Sequence, residues 1–121
     1  MSGDVKEILI VEDEKSLATA LELKLKREGY KVTVAYNGKE GLDQLSRKAY
    51  DVVLLDLIMP IMNGFEVLSA ARKLANQPIF IVLSNLTQPS DADRCLKLGA
   101  RKFLVKSETS LAALAQEIAA L

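Results

Sequence analysis

Histidine is absent from the sequence and cysteine occurs once, at Cys95. The first absence excludes Ser-His and Cys-His nucleophilic catalysis and every histidine metal site. A single cysteine excludes an internal disulfide and any thiolate cluster for a structural metal, and fits a small hydrophobe on a helix face. Any metal held by this chain must therefore be hard and oxygen-bound. Charge of one sign is missing too: Lys+Arg and Asp+Glu both number 16. No net field draws the chain to nucleic acid or an anionic membrane, so we expect neither as a partner. No apolar stretch approaches the ~18 residues of a membrane-spanning helix, and the start lacks the apolar core of a secretory signal. The expectation is a cytoplasmic protein forming one domain over residues 1–121, a length that buries roughly two-thirds of the surface of the unfolded chain.

What is present is a repeated alternation of short apolar runs and helical periodicity. Glu7 to Val11 is an apolar run that ends in Glu12, Asp13 and Glu14. Leu17, Leu21 and Leu25 then recur at helical spacing, and Gly29 supplies a stop. Lys31 to Ala35 alternates as a more exposed strand, Asn37-Gly38 turns it, and Leu42 with Leu45 marks a modest helix. Asp51 to Asp56 contains four consecutive large aliphatics, the pattern of a strand buried on both faces. Pro60, Asn63 and Gly64 forbid its continuation, and Phe65, Leu68 and Ala71 carry the next helix. Ile79 to Leu83 is a fourth strand, ending at Ser84. Ser90 with Asp93 has the spacing of a capping box for a helix through Ala92, Cys95 and Leu96, which Gly99 stops. Arg101 to Val105 is a fifth strand ending at Lys106, and Leu111, Leu114, Ala115 and Ile118 mark a final amphipathic helix.

Five β-α units with short connections imply right-handed crossovers and a parallel sheet covered by helices on both faces. A closed barrel needs eight units. The expected fold is therefore α/β, an open doubly wound five-stranded parallel sheet of flavodoxin-like order 2-1-3-4-5. Its switch point lies between strands one and three, whose ends carry Glu12, Asp13 and Asp56. Strands four and five present Ser84 and Lys106 beside them. Two carboxylates about 4 Å apart repel by about 4 kcal/mol at an effective dielectric of about 20, so three together call for a cation or a raised pKa. Oxygen ligands with room for waters favour Mg²⁺, and a metal, a lysine and a hydroxyl around one carboxylate are equipment for phosphoryl transfer. Each residue also has a plain structural role open to it. Glu12 and Asp13 suit a helix N-terminus, Lys106 suits a surface and Ser84 suits a helix entry. Their joint placement at the ends of four strands is what those separate roles leave unexplained.

From Glu7 onward the chain resembles a response-regulator receiver domain, the phospho-acceptor module of two-component and chemotaxis signalling. The resemblance rests on Glu12-Asp13, on Asp56 followed by Met59-Pro60 and Gly64, on Ser84 after an aliphatic strand, on Gly99-Ala100 and on Lys106. It implies that Asp56 accepts a phosphoryl group from a histidine kinase or phosphotransfer protein. It also implies Mg²⁺ held by Asp13, Asp56 and the backbone carbonyl of Ile58, with Glu12 assisting through water. Lys106 would pair with the phosphoryl oxygens, Ser84 would swing to hydrogen-bond them, and Phe103 would follow inward as the aromatic switch. The implied output is binding through helix four, strand five and helix five, by a monomer or a phosphorylation-dependent dimer, and not an enzymatic activity. Three positions depart from the pattern: Asn63 stands where Asp is frequent, Asn85 where a small residue is usual, and Ser107 where a proline normally follows the lysine. Without proline a cis Lys106-Ser107 bond costs about 3 to 4 kcal/mol, so trans is expected. Competing readings fit less well. A haloacid-dehalogenase-type phosphatase needs an aspartate at position 58, and a flavodoxin-like FMN carrier would set its phosphate against Glu12-Asp13-Glu14. A receiver that is never phosphorylated would not need the intact acidic pair, aspartate, serine and lysine.

Overall fold

The computed structural model describes residues 5–86 and 88–121. The elements run β1 (Glu7–Val11), α1 (Lys15–Arg27), β2 (Lys31–Ala35), α2 (Gly38–Arg47), β3 (Val52–Leu55), α3 (Gly64–Ala71), β4 (Ile79–Ser84), α4 (Pro89–Lys97), β5 (Lys102–Val105) and α5 (Leu111–Ala119). The strands form one sheet in the order β2-β1-β3-β4-β5, every pair parallel, as the alternation predicts.

Side-chain alternation along the strands divides the core in two. Leu9, Val11, Val53, Leu55, Phe80 and Val82 face one side and pack with Leu45 of α2, Phe65 and Leu68 of α3 and Cys95 of α4. Ile8, Ile10, Val52, Leu54, Ile81 and Leu83 face the other and pack with Leu21 and Leu25 of α1 and Leu114 and Ile118 of α5. All four residues of β3 are buried because helices cover both faces of that central strand. Each fully buried Leu contributes roughly 1.5–3 kcal/mol, so β3 is among the most firmly held stretches of the chain.

Gly29 and Gly99 end α1 and α4 with φ of 97° and 105°, a conformation that glycine enters without steric cost. Local details add to or correct the sequence reading. Asn37 is the N-cap of α2, its side chain accepting the Glu40 N–H, so Asn37-Gly38 opens the helix as well as turning the chain. Ser90 and Asp93 do not form a capping box. α4 begins at Pro89, whose fixed φ and missing N–H suit a first helical position, and its N-cap Gln88 makes no side-chain hydrogen bond. Leu96 on that helix is about half exposed. β5 starts at Lys102, one residue later than expected, and leads into a 3-10 turn at Lys106–Glu108. No described peptide bond is cis, so Lys106-Ser107 is trans as expected.

Candidate functional site

Register brings the polar strand ends to one rim. Val11 pairs with Leu55 in the sheet, so the next residues, Glu12 and Asp56, leave their strands at the same level. The Asp56 N–H still donates to the Val11 carbonyl at 3.0 Å and the Glu12 N–H to that of Ala35 at 3.0 Å, which extends the ladder to the base of the site. On the other side Ser84 pairs with Val105, which places Lys106 one residue beyond the last rung.

Glu12, Asp56 and Ser84 are buried polar residues, with 3%, 6% and 0% exposure, whereas Asp13 is exposed. One carboxylate oxygen from each of Glu12, Asp13 and Asp56 lies within 4.8 Å of the others. The Lys106 ammonium sits between two of them, 2.7 Å from Glu12 Oε1 and 3.2 Å from Asp56 Oδ2. The second oxygen of each buried carboxylate is held by backbone: Asp56 Oδ1 accepts the Leu57 N–H at 2.8 Å, and Glu12 Oε2 accepts the Glu14 N–H at 3.0 Å. The loop after β3 folds tightly over this arrangement. A Cβ on Gly64 would lie 2.3 Å from the Asp56 carbonyl oxygen, so only glycine fits there.

Burial sets the electrostatics. It pushes the Glu12 carboxyl up to about 6, against the hydrogen bonds from Lys106 and the Glu14 amide. Burial also raises Asp56, with the Lys106 charge and hydrogen bond and the Leu57 and Ile58 amides pulling back. For Lys106, burial pulls downward, but the hydrogen bond to Glu12 and the charges of Asp56 and Glu12 outweigh it and hold the ammonium above its ordinary range. One ammonium thus pairs with two buried carboxylates, and the third, Asp13, lies beside them. The donor set is all oxygen, negative and partly open through Asp13, which suits a hard divalent cation such as Mg²⁺.

Ser84 and Phe103, expected as a switch pair, are held by contacts of their own. The Ser84 hydroxyl oxygen accepts the Leu86 N–H at 3.2 Å. Phe103 is half-buried, pairs with Val82 in the sheet and packs against the core on the α2-α3-α4 side. Ile58 is largely exposed, at 61%, and its backbone amide acts on Asp56. A contact that sequence reasoning missed joins Asn85 and Ser107: the Ser107 N–H donates to Asn85 Oδ1 at 3.1 Å. Both positions stand out in the sequence as departures, but nothing there pairs them.

The fold agrees with comparison to known proteins. The response regulator receiver domain model matches residues 8–119, and the chain belongs to that family. It is 42% identical over 99 residues to the uncharacterized transcriptional regulatory protein YkoG of Bacillus subtilis, covering 82% of this chain and 43% of that protein. It is 40% identical over 100 residues to the response regulator ArlR of Staphylococcus aureus, covering 83% of this chain and 45% of that protein. The chain thus spans under half the length of these relatives. Among solved structures, the receiver domain of the Francisella response regulator 1452 superposes with a TM-score of 0.88 at 30% identity, covering 95% of this chain and 94% of that one. A CheY-like receiver domain protein from Methanospirillum hungatei gives 0.90 at 27% identity, covering 97% and 93%. The protein is therefore a receiver domain of the two-component response-regulator class, a regulatory module. Among the described residues no helix is long and apolar enough to cross a membrane.

Proposed function

We propose that Asp56 is the phospho-acceptor, taking a phosphoryl group from a histidine kinase or histidine phosphotransfer protein. The observation that carries this reading is the Lys106 ammonium shared between Glu12 and Asp56 at the end of β3. Asp56 Oδ2, the oxygen nearer the ammonium, attacks phosphorus as the bond to the donor's histidine nitrogen breaks. Lys106 favours the ionised aspartate that this attack requires, and it stands where the charge on the incoming oxygens must be met. The Leu57 amide fixes the carboxylate through its other oxygen, so Asp56 is oriented before the donor arrives.

Asp13, Asp56 and the Ile58 backbone carbonyl would hold Mg²⁺, with Glu12 assisting through water. The ion supplies neutralisation of charge on the transferred group. After transfer Lys106 exchanges one carboxylate partner for a phosphoryl oxygen. Ser84 gives up the Leu86 N–H to reach another, and Phe103 moves inward behind it. The surface of α4, β5 and α5 then differs between the two states, and a downstream partner reads the difference. Output is binding, by a monomer or a phosphorylation-dependent dimer, in the cytoplasm, with no nucleic acid or membrane engaged by this chain. Its chemistry is limited to assisting its own phosphorylation and dephosphorylation. Position 58 supports this over an aspartyl phosphatase, because Ile58 cannot act as the acid that such an enzyme needs there.

Exposure to acetyl phosphate with Mg²⁺, followed by intact mass, tests the reading. The parent gains one phosphoryl group and Asp56→Asn gains none; undiminished Mg²⁺-dependent labelling of the Asn variant overturns it.

A further inference from the structure

The two positions that depart from the receiver pattern near the site meet each other. Asn85 directly follows Ser84 and Ser107 directly follows Lys106, and the Asn85 side-chain oxygen accepts the Ser107 N–H at 3.1 Å. The bond lies just past the last rung of the sheet, where Ser84 pairs with Val105. Ser107 sits in the first turn of the 3-10 segment Lys106–Glu108, and the leading N–H groups of a helical turn have no partner within it. Asn85 supplies one from a different loop. The turn is closed from its far side by Thr109, whose N–H reaches the Lys106 carbonyl at 3.3 Å and whose hydroxyl reaches the Val105 carbonyl at 2.8 Å. The backbone beside Lys106 is thus tied on both sides, at the base of the side chain that reaches Glu12 and Asp56. A proline at 107 would have no N–H to give, and an alanine or glycine at 85 would have no side-chain acceptor to receive one.

We propose that Asn85 is a positioning residue: it ties the loop that follows Ser84 to the 3-10 turn that carries Lys106, so that hydroxyl and ammonium approach the phosphoryl oxygens together. The functional half rests on Asp56 being the acceptor; the tie itself does not.

The test uses the full chain with Asn85→Ala and Asn85→Asp, the second keeping an acceptor oxygen in place. Amide hydrogen exchange of Ser107 in the unphosphorylated protein reads the tie. Exchange should speed up roughly fivefold in the alanine variant, the worth of one exposed neutral hydrogen bond, and return in the aspartate variant. Unchanged exchange in Asn85→Ala overturns the proposal. Phosphorylation by acetyl phosphate with Mg²⁺ reads the function. The alanine variant should lose roughly fivefold in rate at saturating donor with an unchanged half-saturating concentration. Asn85→Asp should recover that rate while needing more donor, because its charge repels the anion. Equal rate losses in both variants, or none in Asn85→Ala, overturn the positioning role. A parent that takes up no phosphoryl group overturns the Asp56 reading instead, and the exchange result still judges the tie.

Discussion

α3 and α4 cover the same face of the sheet and border one cavity, yet they are held differently. α3 buries Gly64, Phe65, Val67, Leu68 and Ala71 among its eight residues, while α4 buries only Cys95 among its nine. α3 opens with a reciprocal capping box, Asn63 accepting the Glu66 N–H and Glu66 accepting the Asn63 N–H. α4 opens on Gln88 with no side-chain cap. Between the helices lies a cavity of about 560 Å³, lined by Phe65 and Ser69 on one side and Ser90, Arg94 and Leu98 on the other. It is bridged by the Arg94 guanidinium 4.0 Å over the Phe65 ring and by Arg72 donating to the Lys97 carbonyl at 3.2 Å. The contrast matches the proposed division of labour at the rim. On that proposal the helix after Asp56 anchors a carboxylate set in place before phosphoryl transfer. The helix after Ser84 adjoins a hydroxyl proposed to move afterwards, and moving elements are drawn from the less stable end of a fold.

The largest expected effect breaks the anchored side. Gly64→Ala sets a methyl group against the Asp56 carbonyl and the Leu57 Cα, both backbone and unable to swing away. It should cost about 3 kcal/mol in urea denaturation and displace the aspartate as well. A loss below about 1 kcal/mol would mean that this loop yields. Truncation compares the helices directly: Leu68→Ala on α3 should cost about 3 kcal/mol, and Cys95→Ala on α4 about 1 kcal/mol. Equal costs would remove the contrast. Gln88→Asp sharpens it from the other side, since an acceptor at that N-cap should stabilise α4 by about 1 kcal/mol and slow exchange of its amides. No slowing would show that the helix start is limited elsewhere.

Titration probes the anchored rim alone, with an effect on the order of 1 kcal/mol. In the fold Glu12 keeps its proton up to about 6, against an ordinary 4.5, so between those values the folded chain binds more protons than the unfolded one. Stability without metal should therefore fall as pH rises from about 4.5 to about 6, and the raised Asp56 adds in the same direction. Mg²⁺, which favours the ionised carboxylates, should reverse the slope. Urea midpoints across that window, with and without Mg²⁺, check both signs; a flat metal-free curve would contradict the burial of Glu12.

The anchored region was legible in the sequence and the loose one much less so. Apolar runs stopping at Glu12, Asp56, Ser84 and Lys106 point to strands whose ends converge, because burial on both faces leaves a strong pattern. The start of α4 is hard to read because Ser90 and Asp93 have the spacing of a capping box, while the proline signal at Pro89 favours the earlier entry that the structure shows. Leu96 and Leu111 are among the apolar residues that mark their helices and yet are exposed: α4 buries only Cys95, and Leu111 is the first residue of α5. The Asn85 contact was hidden for another reason: its donor is a backbone N–H 22 residues away, which no side-chain pattern reveals.

Amide hydrogen exchange across α3 and α4, before and after phosphorylation by acetyl phosphate with Mg²⁺, tests most directly the claim that Asp56 chemistry is read through the loosely held side. Exchange in α4 should change by roughly tenfold or more while α3 stays within about twofold, and Asp56→Asn should show neither change. Equal changes in the two helices, or an unchanged α4 in fully phosphorylated protein, would contradict it.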